Sequence, residues 1–153
     1  MPNSLAIMTK KEILLVSSCL LGCKCRYNGT DSFHRETAEL QNKFLIESIC
    51  PEVLIGLPTP RSPVEIQNGQ AIDKNGNNLT KEFEDGANKT LEIVKAKNIK
   101  AAILKSNSPS CGCDYIYDGS FSGKKIPGQG FTAKLLMKNG IFVVSENDID
   151  KLL

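Results

Sequence analysis

The sequence predicts an α/β protein: a Rossmann-like layered fold with a mostly parallel sheet and one small hairpin. Three observations carry that expectation. Short continuous apolar runs at residues 13–16, 101–104 and 141–144 suit strands buried on both faces of a parallel sheet. Between them, Phe83, Ala87, Leu91 and Val94 recur at helical spacing along residues 80–97. Two short runs, 64–67 and 70–73, flank Asn68-Gly69, a hairpin turn signal. Strands that alternate with helices pack as layers around a parallel sheet.

The elements follow in order. The first strand ends at Ser17-Ser18-Cys19, and a loop with Gly22 and Asn28-Gly29 follows. Residues 32–42 are polar around Ala38 and Leu40 and suit a short helix. The next strand, 44–49, stops at Cys50-Pro51, because proline cannot continue a sheet ladder. Residues 56–63 contain Pro58, Pro60 and Pro63 and read as a stiff extended loop. After the hairpin, Asn75-Gly76 marks a further turn. Gly86 weakens the 80–97 helix by about 1 kcal/mol relative to alanine. The strand at 101–104 runs into "SNSPSCGCDY", and a glycine-rich loop precedes a helix at 131–138 and the strand at 141–144. Ser145 with Asp148 forms a capping-box-like start for a last helix, 146–153. A tail at 1–12 is expected to precede one α/β catalytic domain at 13–153, since no repeat or linker divides it.

Composition narrows the function. Nineteen basic and 17 acidic residues are interleaved, so a net charge of +2 argues against a nucleic-acid footprint. No apolar run approaches the ~20 residues of a membrane span, and the N-terminus lacks a secretory pattern. The expected compartment is the cytoplasm, where thiols stay reduced. The six cysteines, Cys19, Cys23, Cys25, Cys50, Cys111 and Cys113, therefore point to metal binding or catalysis more than to disulfides. An isolated cysteine is otherwise most often a buried filler.

Position separates these cysteines. Open parallel sheets bind ligands beyond the carboxyl ends of their strands. Cys19, Cys50 and Cys111 each follow a strand, so all three are expected at that edge. Thiolates favour zinc and iron–sulfur clusters. Structural zinc usually takes paired Cys-x2-Cys ligands, which this chain lacks, and its single histidine, His34, reads as a surface residue near a helix start. Three dispersed cysteines suit a cluster with one iron left open. Cys25 leaves two possibilities: a fourth ligand that closes the cluster, or a thiol beside an open one. Cys113 reads as peripheral, and Cys111-x-Cys113 is too tight for a thioredoxin-type dithiol.

The stretches "LVSSCLLGCKCRYNG", "CPEVLIGLPTPRSPVEI", "LKSNSPSCG", "IYDGSFSG" and "GQGFTAKLL" resemble the domain of unknown function 523 family. The resemblance runs from about Ile13 to Glu146. It implies a 4Fe-4S cluster held by Cys19, Cys50 and Cys111, with Cys25 as a reserve ligand and one iron not held by protein. It also implies a desulfidase that removes sulfur from a thiolated nucleobase or similar thiocarbonyl compound by non-redox hydrolytic substitution. Glu52, two residues after Cys50, is the expected carboxylate for moving protons. Ser108 or Ser110 is expected to orient water or the heterocycle, the serine motif leaving the choice open. Arg61 and Glu65 are expected to pair, either to stiffen the proline-rich loop, the favoured role, or to hold substrate. The Asp118-Gly119-Ser120 turn and Gly128-x-Gly130 offer a cradle for a substrate's polar edge. "SSC" and "YNG" stand where "SAC" and "YDG" are frequent, without touching the ligands. The implied partner is a small thiolated heterocycle, with neither nucleic acid nor membrane and with oligomeric state open. The second reading is a non-catalytic metal-binding or sulfur-handling accessory protein.

Overall fold

Leu14, Leu15 and Val16 are completely buried, which requires a strand covered on both faces. In the computed structural model, which describes residues 11–152, that strand is β1 (Ile13–Ser17). Most of the expected N-terminal tail, residues 1–10, and Leu153 lie outside the described residues. The other strands are β2 (Leu45–Ile49), β3 (Val64–Gln67), β4 (Gln70–Asp73), β5 (Ala101–Ile103), β6 (Tyr115–Tyr117), β7 (Lys125–Pro127) and β8 (Phe142–Val144). The helices are α1 (Arg35–Glu39), α2 (Pro51–Leu54), α3 (Thr80–Ala96) and α4 (Phe131–Lys138).

Strands β2, β1, β5 and β8 lie in that order in one sheet, and every pairing is parallel. On one face Leu15, Ala102 and Val143 pack with Val94 of α3 and Leu136 of α4. On the other face Leu14, Val16, Ile103 and Val144 pack with Leu40 and Ile149. The layered α/β fold is as the sequence predicts. From β1 the chain goes to β2 on one side and then to β5 on the other. The crevice beyond the carboxyl ends of β1 and β5 is therefore a topological switch point.

Two antiparallel hairpins stand apart from this sheet: the expected β3–β4 and an unexpected β6–β7. Other details also differ from the sequence reading. Residues 32–42 form only the short α1 and a 3-10 turn, with the His34 ring accepting from the Thr37 amide as a cap. The C-terminal segment Glu146–Leu152 is a kinked 3-10 helix, broken at Asp148. Its capping box does not close: Ser145 Oγ accepts from the Asn147 amide, while Asp148 faces Lys151.

Gly86 has a reason beyond helix propensity. A Cβ there would stand 2.7 Å from the Pro51 carbonyl oxygen. Only glycine lets α3 approach the first turn of α2 so closely. That turn carries Cys50 and Glu52, so the close approach seats two site residues.

Candidate active site

The switch-point crevice is a cavity of about 380 Å³ whose wall includes Cys19, Cys25, Cys50 and Cys111. The strand-end thiols thus share one space, and Cys25 joins them. Cys19 lies on the 3-10 turn directly after β1, and Cys50 is the residue before α2. The Cys25 carbonyl is gripped by Arg61 Nη2 at 2.9 Å and faces the Cys50 thiol at 4.0 Å. The Cys111 amide donates to Ser108 Oγ at 3.0 Å. Cys23 is exposed and Cys113 is buried in the core, and neither lines the cavity.

The thiols perturb one another. A hydrogen bond with Cys19 pushes Cys25 up to about 12, against an opposing effect of Cys50, and burial adds to the rise. Hydrogen bonding to Cys25, then burial, pushes Cys50 up as well. Burial raises Cys111 to about 12, opposed by the Ser17 and Ser108 hydroxyls. Crowded thiols that resist ionisation are a donor set that needs a cation to become thiolates.

Among the described residues, no group of three or more His, Cys, Asp or Glu is gathered to hold a single metal ion. Ligands of a cubane cluster bind separate irons and stand farther apart than ligands of one ion. Four soft sulfur donors on the wall of one cavity fit a thiophilic group such as an iron–sulfur cluster.

Glu52 stands beside the thiols in the first turn of α2. Its Oε1 accepts from Arg61 Nε at 3.1 Å and its Oε2 from Ser110 Oγ at 3.1 Å. Both charged side chains are nearly buried, at 13% and 8% exposure, so the pair is held rather than fluttering at the surface. Arg61 therefore pairs with Glu52 and not, as expected, with Glu65. The reason is that Glu65 is occupied elsewhere, accepting from the Gly119 and Phe121 amides at 3.0 Å each.

The two serines separate. Ser108 lines the cavity, and its Oγ accepts from the Ser110 and Cys111 amides. Its hydroxyl also faces the Cys111 sulfur, whose ionisation it favours. Ser110 is buried behind the wall and holds Glu52.

Gly128-x-Gly130 does not form a substrate cradle. A Cβ on Gly130 would come 2.5 Å from the Ser110 carbonyl carbon, and the first amides of α4 donate to the Ser110 oxygen. Gly130 seats the serine loop, while Gly128 packs against Ile116. Sequence reasoning missed Ser17, whose Oγ accepts from the Lys105 amide and ties the ends of β1 and β5. It also missed Lys105 and Ser106, which Glu146 holds through three bonds. Ser17 had a signal in its place at a strand end, while Glu146 had none.

Thiols gathered at the switch point of a parallel sheet define an α/β protein with a soft-donor ligand site. Sequence comparison makes this specific. The chain belongs to the 2-thiouracil desulfurase family, whose profile matches residues 14–148. It is 44% identical over 151 residues to the uncharacterized protein YbbK of Bacillus subtilis (strain 168), covering 92% of this chain and all of that one. It also resembles the solved structure of the 4Fe-4S-dependent thiouracil desulfidase TudS. That match has a TM-score of 0.85 and 40% identity, over 93% of this chain and 95% of the other. The expected kinship holds, and with it the expectation of a desulfidase enzyme.

Proposed function

We propose that this chain is a 4Fe-4S-dependent desulfidase acting on a thiolated nucleobase or similar thiocarbonyl compound by hydrolysis. The carrying observation is that Cys19, Cys50 and Cys111 line one cavity with Glu52. The likeness to TudS supports the cluster and a thiouracil-like substrate. In this reading residues 13–153 form one catalytic domain. Cys19, Cys50 and Cys111 hold three irons, one iron has no protein ligand, and Cys25 is in reserve. When bound, the cluster supplies a thiophilic Lewis acid for the substrate sulfur.

The reaction balances without an oxidant or reductant. Water oxygen bonds to the thiocarbonyl carbon, the carbon–sulfur bond breaks, and both water protons leave with the sulfur as hydrogen sulfide. The protein's part is to bind the heterocycle and move those protons. Glu52 takes a proton from water, its carboxylate fixed by Arg61 on one oxygen and Ser110 on the other. Ser108 presents its hydroxyl to the water or the ring.

Anaerobically reconstituted protein incubated with 2-thiouracil should release uracil and sulfide in equal amounts. Fully loaded protein that is inert toward a panel of thiolated bases and nucleosides overturns the reading. One observation favours the accessory-protein alternative: Cys25 lines the same cavity as Cys19 and Cys50, and its carbonyl faces the Cys50 thiol at 4.0 Å, where a fourth ligand would stand. Loss of the intact cluster on Cys25→Ala favours that closed arrangement, and retention favours the open iron.

A further inference from the structure

The cavity has a second wall, built from the tip of the β6–β7 hairpin. Tyr117, Phe121 and Gly123 line it, together with Glu65 of β3. Glu65 is only 9% exposed and forms no ion pair among the described residues. A buried carboxylate without a cation needs donors. Its donors are the backbone amides of Gly119 and Phe121, both on Oε1. Gln67, two residues along the same strand, donates to the Gly119 carbonyl at 2.5 Å.

This clamp holds a conformation that does not hold itself. Phe121 has φ 57, a left-handed backbone rare for a bulky aromatic residue. Such a residue persists only where its surroundings over-determine it. Gly119, at φ 93, lies so close to β3 that a Cβ would meet Gln67 Cγ at 2.5 Å. The tip's own bonds, Asp118 with Ser120 and Ser120 with Ser122, shape the turn without attaching it to β3.

We propose that Glu65 is a positioning residue of the active site. By clamping the 118–123 turn onto β3, it holds Phe121 where the aromatic ring packs against the substrate heterocycle. This rests on the desulfidase reading for the ligand's identity, but the clamp itself does not. Glu65 sets substrate affinity through Phe121 and takes no part in proton transfer, which Glu52 carries.

The test uses the full chain, reconstituted anaerobically, with 2-thiouracil as substrate and backbone hydrogen exchange as the independent readout. Glu65→Ala should speed exchange at residues 118–123 and raise KM about tenfold, with kcat within about twofold. Glu65→Gln keeps an acceptor oxygen and should recover most of that loss. Phe121→Ala should raise KM similarly, and adding Glu65→Ala to it should raise KM no further. Gln67→Ala, a milder change, should shift exchange and KM in the same direction by about threefold.

Unchanged exchange at 118–123 in both Glu65→Ala and Gln67→Ala overturns the clamp. A fall in kcat at constant KM overturns the positioning role, as does a multiplicative Glu65→Ala/Phe121→Ala double variant. If wild-type protein is inert toward thiolated bases, the functional reading fails, while the exchange measurements still decide the clamp.

Discussion

The two walls of the cavity are made by opposite means. The thiol wall stands on strand ends of a parallel sheet whose strand β1 is buried from Leu14 to Ser17. The hairpin wall stands on two-stranded ribbons, which are marginal by themselves and depend on what they touch. Rigid elements suit the groups whose spacing decides chemistry. A clamped turn suits a surface that must only fit a ring. Reactive groups and shape-giving groups are thus separated in the fold, and a change on one wall should leave a different signature from a change on the other.

The largest effects should come from the thiol wall. Cys19→Ala, Cys50→Ala and Cys111→Ala should each lower activity by more than about 100-fold, beyond the cost of outer-shell changes. Iron content and cluster absorption should fall with them. Cys23→Ala and Cys113→Ala, outside the cavity, should keep both, and loss of iron in either would break the division drawn here.

Glu52→Gln should lower kcat by roughly 100-fold or more while the cluster remains, since it removes a proton carrier and not a ligand. Single-turnover measurements with loaded protein check this. A change confined to KM would move Glu52 to the shape-giving side of the comparison.

Gly86→Ala is the remote counterpart. It gains about 1 kcal/mol of helix propensity. It also drives a methyl against the Pro51 carbonyl, and such overpacking costs about 1–3 kcal/mol. The expected result is a slightly lower melting temperature and a kcat reduced about tenfold as Cys50 and Glu52 shift. Unchanged kcat would show that α2 keeps its seat without the close approach.

The smallest effect on activity belongs to Glu146, whose change is read as stability. Burial pushes its carboxyl up, but the Ser106 amide and Lys105 outweigh burial and hold it below the ordinary 4.5. A carboxyl depressed on folding stabilises fully above its unfolded value and loses that contribution as pH falls through its folded value. Glu146→Gln should therefore cost about 2 kcal/mol at neutral pH. The gap from wild type should close below about pH 4.5. Denaturant melts across pH check the sign.

Much of the thiol wall was legible beforehand. Apolar runs locate strands, and a cysteine following a strand inherits its place at the sheet edge, so Cys19, Cys50 and Cys111 needed no long-range information. The β6–β7 hairpin was not legible. Its strands are three residues each, and its attachment runs through Glu65, 54 residues from Gly119. Helix α2 escaped notice because four residues carry no periodicity. Arg61 had two acidic candidates, and the nearer in sequence was the wrong one. Chain separation does not measure which carboxylate already has donors.

Local apolar patterning was enough for the layered fold and for the edge where its thiols meet, because strand burial and the alternation of strands with helices are written in it. Long-range packing alone stood Ser110 behind Glu52 while Ser108 faces the cavity, and gave Glu65 a turn to grip. Those assignments depend on which polar groups from distant segments are buried together. Buried polar groups must find partners wherever the fold has brought them.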